Sequence, residues 1–155
     1  MYCTRQRTSV SKYINEFDKN ALLTLSANFK NATIDGRGIH VVNAEDVSDV
    51  DVMVGGFPCQ AFSIAGYRKG FDDSRGDLFF KMLRTIKAHR PRAILLENVK
   101  NLAAHDNGNT FLTIRNALVL NGYFVKWKVK RQRLRQYSAE SRAHICGRLS
   151  GQKRL

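Results

Sequence analysis

Cysteine is scarce in this sequence, and its three copies are scattered. Cys3, Cys59 and Cys146 show no metal-ligand spacing, and an odd, dispersed set is no disulfide framework. Reduced thiols are the simple expectation. Long apolar runs are missing too: none approaches the roughly 18 residues that suggest a membrane span. The opening MYCTRQRTSV has basic residues but no apolar stretch behind them, so no secretory signal is read. A cytoplasmic protein is expected. There is no internal repeat and no Pro/Gly/Ser linker. Acids are few: 13 Asp and Glu stand against 26 Lys and Arg, a net charge of +13.

What remains is a chain of 155 residues, 43% hydrophobic, enough for one domain of ordinary size. The charge is uneven. From Lys126 to Leu155 there are ten Lys or Arg residues and one acid, Glu140. The body is therefore mildly basic and the tail strongly so. Basic stretches often meet nucleic acid, because Lys and Arg displace counterions condensed on phosphates.

The hydrophobic period alternates along the chain. Lys12–Asn15 reads as a short strand, and Asp18–Phe29 as a helix with Ala21, Leu22, Leu25 and Phe29 apolar. Val50–Val54 reads as a buried strand ended by Gly55-Gly56, and residues 57–75 as a long functional loop. Asp77–His89 has a helical period through Leu78, Met82, Leu83 and Ile86, and Pro91 stops it. Ala93–Leu96 is an apolar strand running into Glu97-Asn98. Asn109–Leu120 repeats the helical period through Phe111, Ile114, Leu118 and Leu120; Gly122 caps it, and Tyr123–Val129 is a strand. This alternation predicts an α/β fold: an open, mainly parallel sheet with helices on both faces. Ligands bind such sheets at the carboxyl ends of strands, where Gly55–Cys59 and Glu97–Asn98 fall.

Two segments carry chemistry. In Gly55-Gly56-Phe57-Pro58-Cys59-Gln60, a strand delivers a Pro-Cys pair into a loop. Pro58 fixes its own φ and restricts Phe57, which can hold the thiol in one direction. A free thiol is only a few per cent ionised at neutral pH, so nucleophilic work needs activation. Read alone, such a cysteine is a small buried apolar residue. In Glu97-Asn98-Val99, a carboxyl ends an apolar strand and is partly desolvated, which suits it to hold or donate a proton. Read alone, it is a strand-end Glu that, with Asn98, caps the next segment.

Together the segments are specific. The runs GGFPCQAFSIAGYRKGFDDSRGDLFF and RPRAILLENVKNLAAHDNGNTFLTI resemble the Pro-Cys and Glu-Asn-Val blocks of the DNA (cytosine-5)-methyltransferases, especially the bacterial restriction-modification type. Tyr13-Ile14-Asn15-Glu16-Phe17-Asp18 resembles that family's second cofactor-binding strand. The resemblance covers residues 12–129 in order. It implies an incomplete Rossmann-like fold of the S-adenosylmethionine-dependent methyltransferases. It implies that Cys59 adds to C6 of a cytosine flipped out of double-stranded DNA, with Glu97 on the ring N3 and amine, Asn98 orienting the strand end and Pro58 fixing the loop. It also implies that Glu16 holds the ribose of S-adenosylmethionine, Phe17 stacks on adenine, and Pro58 and Leu78 line the cofactor. For Phe17 and Leu78 the plain alternative is core packing. A cognate restriction endonuclease system is the implied partner, and one branch with the same chemistry acts on tRNA. No metal is implied.

The chain also departs from the family. The glycine-rich opening block is missing before Lys12, and the acid that contacts the adenine amine aligns with Gly38, with Asp35 nearby but shifted. After Val129 the arginine-bearing block and the target-recognition part are missing. Residues 131–149, RQRLRQYSAESRAHICGRL, can be encoded so that a reading one nucleotide later spells Ala-Asn-Asp-Tyr-Gly-Asn-Ile-Pro-Gln-Asn-Arg-Glu-Arg-Ile-Tyr-Val-Val-Gly-Phe, which looks like the missing block. The expectation is a partial catalytic domain over 1–129 and an out-of-frame, poorly ordered basic tail over 130–155. Such a chain is expected to be inactive alone. The alternatives are a non-catalytic remnant and a basic nucleic-acid-binding fragment. Two placements are expected as well: Cys59 beside Glu97, and Glu16 and Phe17 on one rim with Pro58 and Leu78.

Overall fold

A computed structural model describes residues 11–57, 78–132 and 140–149. The chain divides into two compact units, residues 1–48 and 49–155.

In the first unit, strand β1 (Tyr13–Asn15) pairs in parallel with β2 (Thr33–Asp35), joined by helix α1 (Lys19–Asn28). Asp18 starts the helix: its carboxylate accepts from the Ala21 N–H at 2.8 Å, an N-cap that satisfies one orphan donor. Ala21, Leu22 and Leu25 are half-buried, as the apolar stripe read from the sequence has it, whereas Phe29, past the end of the helix, is exposed. β2 escaped the sequence reading.

In the second unit, β3 (Val52–Gly56) pairs in parallel with β4 (Ala93–Val99). The hydrogen-bonded order is β3-β4-β6-β5, where β5 is Tyr123–Gln132 and β6 is Glu140–Leu149. β6 runs antiparallel to both neighbours. The α/β class is as expected, and three of the four strands run one way; β6 alone among them runs against its neighbours and makes the sheet mixed. The boundary expected after residue 129 falls inside β5. The described part of the tail also differs from the loose segment expected there: β6 lies in the interior of the sheet, and Ile145 is buried in the core. Its signal has a period of two, not a helical one. Ile145 and Gly147 face the core while His144, Cys146 and Arg148 face away, and the basic residues mask this alternation in a count of apolar content.

Helices α2 (Leu78–His89) and α3 (Asn109–Leu120) both pack on the face of Ile94, Leu96 and Ile145. Phe79, Leu83 and Ile86 of α2 and Ile114 and Leu118 of α3 are buried there, at helical spacing. Leu120 is 78% exposed, contrary to the expected stripe, because it lies about 200° around the helix from Leu118. Gly122 ends α3 at φ 87°, a left-handed position that a side chain would strain. The Tyr123 hydroxyl donates to the Pro91 carbonyl at 2.8 Å and ties the start of β5 to the turn after α2. Burial pushes that hydroxyl's pKa up, so it stays a donor. No helix among the described residues is long and apolar enough to cross a membrane.

Candidate active site

The carboxyl ends of β3 and β4 lie side by side. Gly56 is the register partner of Glu97, so the last residue of one strand faces the carboxylate-bearing residue of the other. A Cβ built on Gly56 would stand 3.4 Å from Glu97 Oε2 and 3.7 Å from the Glu97 carbonyl oxygen. The missing side chain therefore lets the Glu97 carboxylate lie close against the β3 backbone. Asn98 points to the opposite, helix-covered face and is buried. Its Nδ2 donates to the Phe57 carbonyl at 2.6 Å, and its Oδ1 accepts from the Val99 N–H at 2.8 Å. One amide thus closes two backbone groups and holds the residue that precedes Pro58. The Phe57 ring is buried against Phe79, centroids 5.6 Å apart, so that residue is held from both sides.

Pro58 and Cys59 lie outside the described residues, and with them the expected pairing of Cys59 and Glu97. Asn98 is placed more specifically than the sequence allowed. Its partner Phe57 bears no mark of a site residue in the sequence beyond its place between Gly56 and Pro58.

The first unit holds the other candidates. Glu16 follows the end of β1, and its Oε1 accepts from the backbone N–H groups of Phe17 and Asp18 at 2.8 and 2.9 Å. The carboxylate is therefore oriented before any ligand arrives. Phe17 is 74% exposed, which removes the core-packing alternative for it. Leu78, by contrast, is half-buried against the core of the second unit, as that alternative had it. Glu16 and Phe17 belong to one unit and Leu78 to the other, and Pro58 is outside the described residues.

Asp35 is committed elsewhere. It accepts from the Tyr13 hydroxyl at 2.6 Å and from the Arg37 guanidinium at 2.7 Å, and Arg37 also reaches Asp46 at 2.8 Å. Arg37 holds the Asp35 carboxyl well below the usual range despite its burial, and the Tyr13 hydroxyl adds to this. Burial, and then Asp35 itself, push the Tyr13 hydroxyl up. Asp35 thus serves the β1–β2 pair, and a Cβ at Gly38 would meet nothing within 4 Å. A carboxyl depressed on folding stabilises fully above its unfolded pKa of about 3.9, and that stability is lost as pH falls below it. Acid unfolding should therefore be steep between about pH 4 and pH 2. Asp35→Asn should flatten it in a circular dichroism titration, and an unchanged slope would deny the linkage.

The described geometry is thus an α/β sheet that brings the Gly56-Phe57 end of one strand beside the Glu97-Asn98 pair of its neighbour. Residues 4–134 match the model of the C-5 cytosine-specific DNA methylases, and the chain belongs to that family. It is 58% identical over 120 residues to the type II methyltransferase M.Bsp6I of Bacillus sp. (strain RFL6), covering 76% of this chain and 37% of that protein. With the type II methyltransferase M.HhaI of Haemophilus parahaemolyticus it shares 46% over 106 residues, 68% of this chain and 32% of the other. The chain thus spans about a third of the length of these relatives. Among solved structures, the Dnmt2 methyltransferase of S. pombe superposes with a TM-score of 0.66 at 18% identity, over 95% of this chain and 43% of that one, a likeness of fold.

Proposed function

We propose that this chain carries the catalytic segment of a restriction-modification methyltransferase that acts on C5 of cytosine in double-stranded DNA. The observation that carries the reading is the Asn98 clamp on Phe57 beside the Gly56–Glu97 pair. It brings the residue before Pro58-Cys59 next to a carboxylate, at the carboxyl end of the sheet.

The chemistry assigns each residue a task. C5 of cytosine is a poor nucleophile. The Cys59 thiolate adds to C6 of the flipped base, and the ring becomes electron-rich at C5. Glu97 binds N3 and the exocyclic amine and favours the protonated N3 that makes C6 electrophilic. Asn98 and Pro58 hold the nucleophile's loop. After methylation the C5 proton leaves and the Cys59–C6 bond breaks, which returns the thiolate. S-adenosylmethionine, when bound, supplies the methyl group. The described residues fit it in part: Glu16 offers an oriented carboxylate for ribose hydroxyls and Phe17 an exposed ring for adenine. Leu78 and Pro58 are the further cofactor contacts that the family resemblance assigns. The reaction is placed in the cytoplasm, alongside a cognate endonuclease.

The test is a chimera: residues 12–129 of this chain in place of the matching segment of the Bacillus relative. It should transfer tritiated methyl groups from S-adenosylmethionine to unmethylated DNA. Glu97→Gln keeps the shape but cannot share a proton with N3, so turnover should fall about 10²- to 10⁴-fold. A folded but inactive chimera, or an unaffected Glu97→Gln, would overturn the assignment.

A second reading, a non-catalytic remnant, draws on residues 131–149 and their shifted-frame content. In that frame the arginines fall where this chain has Ser141 and Ala143. The nucleotide sequence from codon 125 onward decides it: synonymous codons that do not spell the shifted block would reject the frameshift.

A further inference from the structure

The sheet of the second unit has two unlike faces. One carries α2 and α3. On the other, the strand registers align three rows across β3, β4, β6 and β5: Val52, Ala93, Arg148 and Phe124; then Val54, Leu95, Cys146 and Lys126; then Gly56, Glu97, His144 and Lys128. Residues opposite one another in a sheet share a face. The β3 side of this face is apolar and the β5–β6 side is basic. Phe124 is 57% exposed among the cations, and Lys126 Nζ stands 5.7 Å from its ring centroid. That distance confirms that Phe124 and Lys126 share the face. Phe124 and these cations thus stand together on the edge strand β5 and its neighbour β6.

We propose that the β5–β6 side of this face is a platform for single-stranded nucleic acid, with Phe124 stacking on a base and Lys126, Lys128 and Arg148 holding phosphates. Lys126 and Lys128 are about 7 Å apart along the strand and reach successive phosphates of an extended chain. His144 lies between Glu97 and Lys128 and screens the one acid of the three rows from the track. A duplex keeps its bases stacked and offers Phe124 no partner, so the unpaired strand is favoured. A lipid surface is disfavoured, because the exposed apolar side chains Val52 and Val54 sit on β3, at the far edge from Phe124. The proposal needs no methyl donor and stands apart from the methyl-transfer reading.

Fluorescence anisotropy with the full chain tests it, using labelled oligothymidylate and oligouridylate of about 12 nucleotides. A duplex of the same length and anionic phosphatidylserine vesicles serve as the other arms. Both single strands should bind more tightly than the duplex, and the DNA and RNA arms distinguish the source. Phe124→Ala should weaken single-strand binding about 5- to 150-fold. The pair Lys126→Gln and Lys128→Gln should reduce the salt slope by about 1.4, roughly 0.7 for each phosphate released. Phe124→Leu keeps the apolar bulk, so its loss of binding with unchanged thermal unfolding separates stacking from folding. A duplex or vesicles bound as tightly as the single strand, or Phe124→Ala binding like the parent, would overturn the platform.

Discussion

Cys59→Ser is expected to abolish methyl transfer in the chimera, by about four orders of magnitude or more. Serine matches the size of cysteine, so the loop has no reason to move. What changes is the nucleophile. A thiol yields a useful thiolate fraction near neutral pH, whereas a hydroxyl needs a base to remove its proton. Nothing in the proposed mechanism supplies that base, because Glu97 is engaged with the cytosine ring. The loss should therefore fall on turnover, with thermal unfolding and duplex binding unchanged. Groups that act as a unit are not additive, so adding Glu97→Gln to Cys59→Ser should cost little more. Turnover of Cys59→Ser within a hundredfold of the parent would remove the covalent step.

The second large effect belongs to Asn98→Ala. The amide is buried and serves two backbone groups, the Phe57 carbonyl and the Val99 N–H. Its removal leaves both without that partner, at about 1–3 kcal/mol each. Against a typical total of roughly 5–15 kcal/mol, that should show as a clear fall in the urea midpoint. Catalysis should suffer separately. Misplacing a reacting group by about 1 Å costs on the order of 10² in rate, and the Phe57 carbonyl lies one residue before Pro58. Asn98→Asp distinguishes the two roles. It keeps the acceptor for Val99 but turns a donor into a carboxylate oxygen facing the Phe57 carbonyl. It should therefore impair turnover at least as much as Asn98→Ala. An Asn98→Ala protein with parental stability and turnover would mean that the clamp holds nothing of consequence.

The chemical groups of the site were legible in the sequence, and their contacts were not. Pro-Cys after a strand and Glu-Asn after another could be read as strand-end chemistry, because strand termination leaves its mark in glycine, proline and polar residues. That Glu97 and Asn98 point to opposite faces is a consequence of the period of two. That Asn98 reaches across to Phe57, 41 positions earlier, is not. Such a bond depends on which strands become neighbours. The same holds for Asp35, which looked like a displaced cofactor acid until Tyr13 and Arg37 were seen to occupy it.

The sequence by itself determined the α/β class, the family, the helix from Asn109 to Leu120 and the identity of the chemical groups. These depend on local period and on residue types at fixed spacing, which no distant contact has to supply. Only the tertiary structure decided that β6 enters the sheet between β4 and β5, and that the sheet is mixed. It alone decided that basic residues of β5 and β6 gather on the face opposite the helices, and that a buried amide locks the end of β3. The reason is that strand pairing is a non-local choice. Each strand's alternation says which side faces the core, but the hydrogen-bond partners on its two edges are set by what else in the chain can fill that place.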